Sequence, residues 1–166
     1  MQSNNKLTPV IIGTLVMTFI ALFPIVNFLN ILCCSGIMIG GFAGVTSYNK
    51  QLTNSGQTLT AKDGGMIGIL SGILSAVFVS GFGLLFSLFS NQNPMTEIMN
   101  AFSEFGFQIP DSAAYYLDKF SNEFNDHGFS PTLTIFSFIT NLIIYPLFGT
   151  IGALIAVQIY KKKGNV

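Results

Sequence analysis

The chain has 166 residues, of which seven Lys and seven acidic residues make 8% charged, where an ordinary soluble domain carries about 25%. Half of the residues are hydrophobic, 17 are Phe and the mean hydropathy is +0.60, more apolar surface than one small core buries, so a soluble enzyme is not expected and the lipid bilayer is the expected partner. The net charge is zero and there is no Arg, the side chain that nucleic-acid and phosphate sites favour, so no nucleic acid is expected.

In chain order, Leu7 to Val26 and Ile31 to Tyr48 hold no charge and are separated only by Asn27 to Asn30, which reads as a helical hairpin with Pro24 ending its first helix. A hydrocarbon core of about 30 Å takes about 20 helical residues, so the first run is adequate to span and the second marginal. The first run is longer than the apolar part of a signal peptide and has no small-residue cleavage site, so it is kept as a span. Two more apolar runs follow, 66–90 and 132–160. The expected fold is a single all-α integral membrane domain with four transmembrane helices, at about 7–26, 31–48, 66–90 and 132–160.

Charge sorting gives the orientation. Lys6, Lys50, Lys62, Lys161, Lys162 and Lys163 all fall on one side of a four-span chain, the side that the excess of Lys marks as cytoplasmic. The segment 91–131 carries a net charge of −5 and the rest of the chain +5. Both termini are therefore expected in the cytoplasm and the acidic loop outside. Within that loop, Met95, Ile98, Met99, Phe102 and Phe105 follow an Asn93 and Pro94 start, and Ala113, Leu117, Phe120 and Phe124 follow Asp111. These stripes predict two amphipathic helices broken near Gly106 to Pro110, an extracytoplasmic cap. Their acidic polar faces suit the ends of the spans or an envelope protein better than anionic lipid.

Glycine recurs with a period of four: Gly36, Gly40 and Gly44 in the second span, and Gly64, Gly68 and Gly72 at the third, with Ser75 one step on. Such rows lie on one helix face and let backbones approach, which matters in lipid because no hydrophobic force distinguishes a helix from an acyl chain. The two rows are expected to pack against each other, within one chain or in a homo-oligomer. The second and fourth spans share a further pattern: Gly40, Gly41, Gly44, Val45 and Tyr48 parallel Gly152, Ala153, Ala156, Val157 and Tyr160, as a repeat of two hairpins or as a shared boundary signature of interfacial Tyr before Lys.

Residues Pro24, Asn27, Asn30, Cys33, Cys34, Gly40, Gly41, Tyr48, Asp63, Gly64, Gly68 and Gly72 stand in an order that resembles small uncharacterised prokaryotic membrane proteins. In those, a Pro and an Asn-Cys-Leu-Cys-Cys turn lead into a glycine-rich helix ending in Tyr, and Asp-Gly opens the next one. The resemblance covers roughly residues 20–78, and Ile31 replaces the first Cys. It implies a four-span fold in a prokaryotic cytoplasmic membrane, with no activity.

Candidate chemistry is sparse. Asp63, before Gly64 and Gly65 and after a turn at Asn54 to Gly56, is expected to be a helix N-cap rather than part of an anion cradle, which its own charge opposes. Cys33 and Cys34 lack further ligands and are expected to act as small buried hydrophobes rather than a soft-metal or thiol-exchange site. His127 beside Asp126 does not make a metal site, and no cofactor is expected. None of the four spans contains Asp, Glu, Lys, Arg or His. Ser71, Ser75, Ser80, Asn141 and Gln158 are the polar groups at depth, with the Leu142 carbonyl freed by Pro146, and Asn141 is expected to serve as a structural clamp or as part of a polar path. The expected function is therefore non-enzymatic helix packing or assembly. The alternative is a small transporter or channel subunit acting as an oligomer, with Ser75, Ser80 and Asn141 along its path.

Overall fold

A computed structural model describes residues 5–23, 34–90, 93–106, 110–162 and 164. Every described element is an α-helix: α1 Leu7–Leu22, α2 Ser35–Ser55, α3 Ala61–Ser90, α4 Pro94–Glu104, α5 Asp111–His127 and α6 Pro131–Lys162. The expected hairpin turn, with Pro24, Asn27, Asn30 and Cys33, and the terminal Lys163 lie outside the described residues. The chain divides into two compact units, one comprising residues up to Val79 together with those from Thr140 on, and the other Ser80–Ile139.

In the first unit the directions of the four helical segments follow from their contacts. Gly40 of α2 lies against Gly13 and Met17 of α1, and Gly44 against Pro9, so α1 and α2 are antiparallel. Ser71 of α3 bonds to Val10 of α1 and Ser75 to Thr14, so α1 and α3 run the same way. Gly64, Gly68 and Gly72 of α3 meet Val157, Thr150 and Pro146 of α6 in descending order, so α3 and α6 are antiparallel. The interior is built from Val10, Val45, Tyr48, Leu52, Leu59, Ile67, Ala153, Ala156 and Val157 toward one end, and from Met17, Ile37, Ala76 and Tyr145 elsewhere.

Large apolar side chains point outward instead. Leu7, Ile11, Leu15 and Phe19 of α1 are exposed, as are Ile69, Ile73, Val77 and Phe78 of α3 and Leu147, Ile151, Ile155 and Ile159 of α6. Buried beneath them are Thr14, Ser71 and Ser75. In the second unit, taken by itself, Phe82, Leu85, Phe86 and Phe89 of α3 and Ile135, Phe136 and Ile139 of α6 are exposed.

Two helices, α3 and α6, are long and apolar enough to cross a membrane. Only 22% and 33% of their most apolar stretches are buried within the chain, unlike the core helices of soluble proteins. The other two expected spans do not reach that mark for physical reasons. The described part of α1 has 16 residues. In α2, Ser35, Thr46, Ser47 and the polar turns from Asn49 on dilute the apolar content.

The observed ends differ from the expected ones where caps decide. α2 continues seven residues past Tyr48 to Ser55, so Asn54 and Ser55 are helical rather than a turn. It stops at Gly56, whose φ of 64° is the left-handed conformation that glycine adopts without a Cβ penalty, its N–H donating to the Leu52 carbonyl. α3 starts at Ala61, five residues before the apolar run. α6 is continuous through Pro146.

In the second unit α4 and α5 form where their apolar stripes predict. Asn93 caps α4, its Oδ1 accepting the Met95 N–H at 3.1 Å, and its Nδ2 donates to Ser121 Oγ at 2.9 Å and Asn125 Oδ1 at 3.2 Å on α5. Met95 of α4 and Phe124 of α5 are buried. Ser130 caps α6 with Pro131 in the first helical position, its Oγ accepting the Leu133 N–H at 3.2 Å. Glu123 of α5 completes that cap, accepting from Ser130 Oγ at 2.6 Å, Thr132 Oγ1 at 2.6 Å and the Thr132 N–H at 3.0 Å.

Candidate functional site

The glycine rows are buried in helix contacts, and they correct the expectation that they pack on each other. The α2 row faces α1: a Cβ placed on Gly40 would lie 3.0 Å from the Met17 backbone nitrogen and 3.1 Å from the Gly13 carbonyl, and one on Gly44 3.0 Å from the Pro9 carbonyl. Gly44 also reaches α3, at Ile67 Cγ2. Gly36 is buried near the start of α2. The α3 row faces α6: a Cβ on Gly68 would lie 2.6 Å from Thr150 Cα and 2.8 Å from the Gly149 carbonyl, one on Gly64 would meet Val157 Cγ2, and one on Gly72 would collide with the Pro146 backbone. A period of four marks a face but does not say which helix that face meets.

A third contact went unread in the sequence. Gly41 of α2 lies against the Gly149 carbonyl of α6, and Gly152 of α6 against the Met38 carbonyl of α2, so these two backbones also touch. Near the same end Tyr160 Oη donates to Thr46 Oγ1 at 3.1 Å and stacks loosely on Phe42. The signal was present in the matching small, Val and Tyr positions of the two spans: they are two halves of one parallel contact, with Val45, Tyr48, Ala153, Ala156 and Val157 in one cluster.

A ladder of hydroxyls joins α1 to α3. Thr14 Oγ1 donates to the Val10 carbonyl at 2.8 Å, Ser71 Oγ to the same carbonyl at 3.1 Å, and Ser75 Oγ to the Thr14 carbonyl at 3.2 Å. Ser75 thus clamps α3 to the α1 backbone. Asn141 and Ser80 are partly buried. The Thr18 hydroxyl, one turn beyond Thr14, is buried with no hydrogen-bond partner among the described residues.

The charged end of this unit is organised by Asp63. The N-cap is Thr60, not Asp63: Asp63 sits three residues later and accepts the Thr60 N–H at 3.2 Å, while Thr60 Oγ1 accepts the Asp63 N–H at 3.2 Å. This reciprocal pair is a capping box, readable in Thr60-Ala61-Lys62-Asp63. The second carboxylate oxygen pairs with Lys6 Nζ at 2.6 Å, which ties the start of α1 to the start of α3. That ammonium also lies 5.8 Å from the centre of the Tyr48 ring. The hydrogen bond to Asp63 holds the Lys6 ammonium above its ordinary lysine pKa, against the opposing effect of burial.

Cys34 precedes α2 in the left-handed conformation, φ 58°, unusual for a residue with a Cβ, and its carbonyl accepts from Ile37 and Met38. It is half-buried beside Met17, Ile37, Ala76 and Tyr145. His127 ends α5 with Nδ1 3.2 Å from the Glu123 carbonyl. Among the described residues no three His, Cys, Asp or Glu converge on one point.

Comparison with known proteins finds no matching family model, no similar curated protein and no similar solved structure.

Proposed function

We propose that the chain is an integral membrane protein of four spans whose role is helix packing and assembly without catalysis. The observation that carries this reading is where the side chains lie: Gly, Ser and Thr fill helix contacts beside a small apolar core, while long rows of Leu, Ile and Phe on α1, α3 and α6 stay exposed. In lipid, helices associate through close backbone approach and interhelical hydrogen bonds, and both are present between α1, α2, α3 and α6. The alternation of directions supports four crossings, because it brings Lys6 beside Asp63 and Tyr160 beside Thr46, gathering Lys50, Lys62, Lys161 and Lys162 toward the same end. By the excess of Lys that end is cytoplasmic, with both termini, and the acidic α4 and α5 region is outside, available to an envelope protein. The resemblance to small prokaryotic membrane proteins fits a cytoplasmic membrane.

Packing is favoured over transport because glycines bring α2 and α3 backbone-close to α6, leaving no room for a solute between those pairs. Transport would need a path between protomers. Reconstituted in liposomes, the wild-type protein should therefore show solute and ion flux no greater than empty vesicles. Asn141→Leu should only lower stability, by about 0.6–2 kcal/mol, the usual worth of a polar side chain's hydrogen bond within the membrane. A reproducible wild-type flux that Asn141→Leu abolishes while the protein stays folded would establish the transporter reading instead.

A further inference from the structure

In the α4 and α5 pair Met95 and Phe124 are buried and Met99, Leu117 and Phe120 half-buried, yet Phe105, Tyr115 and Tyr116 remain 77%, 66% and 57% exposed. The Tyr rings pack edge to face at 5.5 Å, and Tyr116 extends toward Phe120 at 6.4 Å, forming one aromatic surface. We propose that this surface docks into the headgroup layer of the same bilayer, so that α4 and α5 lie along the membrane interface. The inference rests on the membrane reading above.

Placement argues for it first. Within this unit α4 opens just after α3 ends, and Asn93 at that junction holds Ser121 and Asn125 of α5. Glu123 of α5 holds Ser130 and Thr132, the first turn of α6. The C-terminal half of α5 is thus tied to the place where one apolar helix ends and the other begins. The exposed apolar rows run up to these ends, with Phe86 and Phe89 on α3 and Ile135 and Phe136 on α6. Helices tied there sit at headgroup depth rather than far out in water.

Chemistry selects the occupant. Tyr joins an apolar ring to a hydroxyl that needs water or a headgroup oxygen, and it concentrates at membrane interfaces. The exposed neighbours Asp118, Lys119 and Asp126 give this flank no net positive charge, so a zwitterionic headgroup suits it and attraction to anionic lipid is not required.

The chain contains no Trp, so a single introduced Trp reports alone. Tyr115→Trp and Tyr116→Trp, made separately, and Phe82→Trp as a depth reference on α3, are reconstituted in phosphatidylcholine vesicles brominated at chosen points of the acyl chain. Both Tyr-site reporters should lose more emission to lipid brominated near the headgroup than to lipid brominated near the chain end, and be poorly quenched by iodide in the buffer. Phe82→Trp should show the reverse bromine preference. If Phe82→Trp behaves so while both Tyr-site reporters are quenched by iodide like free Trp, the docking proposal falls and the membrane reading stands. Reporters shielded from both quenchers would mean a protein covers the surface, which also overturns the proposal. A Phe82→Trp that no brominated lipid quenches overturns the membrane reading itself.

Discussion

Gly72 and Gly65 share a helix and differ in what a methyl group would meet. At Gly72 the added carbon runs into the Pro146 backbone, which cannot move aside like a flexible side chain. At Gly65 it meets open space. Gly72→Ala should therefore lower stability in detergent by about 1–3 kcal/mol, the usual cost of overpacking. Gly65→Ala should be neutral or gain up to about 1 kcal/mol of helix propensity. Equal thermal unfolding of the two variants would mean that the α3 row is compositional. The residues were legible here and their partners were not. Spacing picks out Gly40, Gly44, Gly64, Gly68 and Gly72, but Gly13, Gly41, Gly149 and Gly152 stand outside the period of four that the sequence displays, and only the three-dimensional path of α1 and α6 brings them into contact.

At the scale of elements, helix existence was legible and helix ends were not, because the ends depend on single capping groups. The apolar run from Met66 says nothing of the turn before it, which the Thr60 and Asp63 box adds. The pattern of α5 predicts its helix but gives no sign that Glu123 reaches across to cap α6. The Ser130 and Thr132 hydroxyls and the Thr132 N–H hold the Glu123 carboxyl below its ordinary value of 4.5. A carboxylate with a lowered folded pKa contributes stability that is fully present above the unfolded value and is lost as pH falls through the folded one. The α5 to α6 junction should accordingly loosen on acidification below the ordinary carboxylate range. Amide hydrogen exchange at Thr132 and Leu133 should rise there relative to the intrinsic rate, and Glu123→Gln should flatten that pH dependence. An unchanged profile in Glu123→Gln would remove Glu123 from this role.

For the whole molecule, the balance of charge and the length of the apolar runs made the all-helical fold legible, while the pairing of helices needed coordinates. The proposed topology has α1, α2, α3 and α6 each crossing the bilayer, with the Lys-bearing ends together. Its most direct test replaces Cys33 and Cys34 by Ala and introduces one Cys at a time at Ser55, Lys162 or Asn100, followed by an impermeant thiol reagent on intact cells. Four crossings predict that Cys at Ser55 and at Lys162 is protected until the membrane is opened and that Cys at Asn100 reacts at once. Labelling of Ser55 and Lys162 variants from opposite sides, or protection of the Asn100 variant, would contradict it.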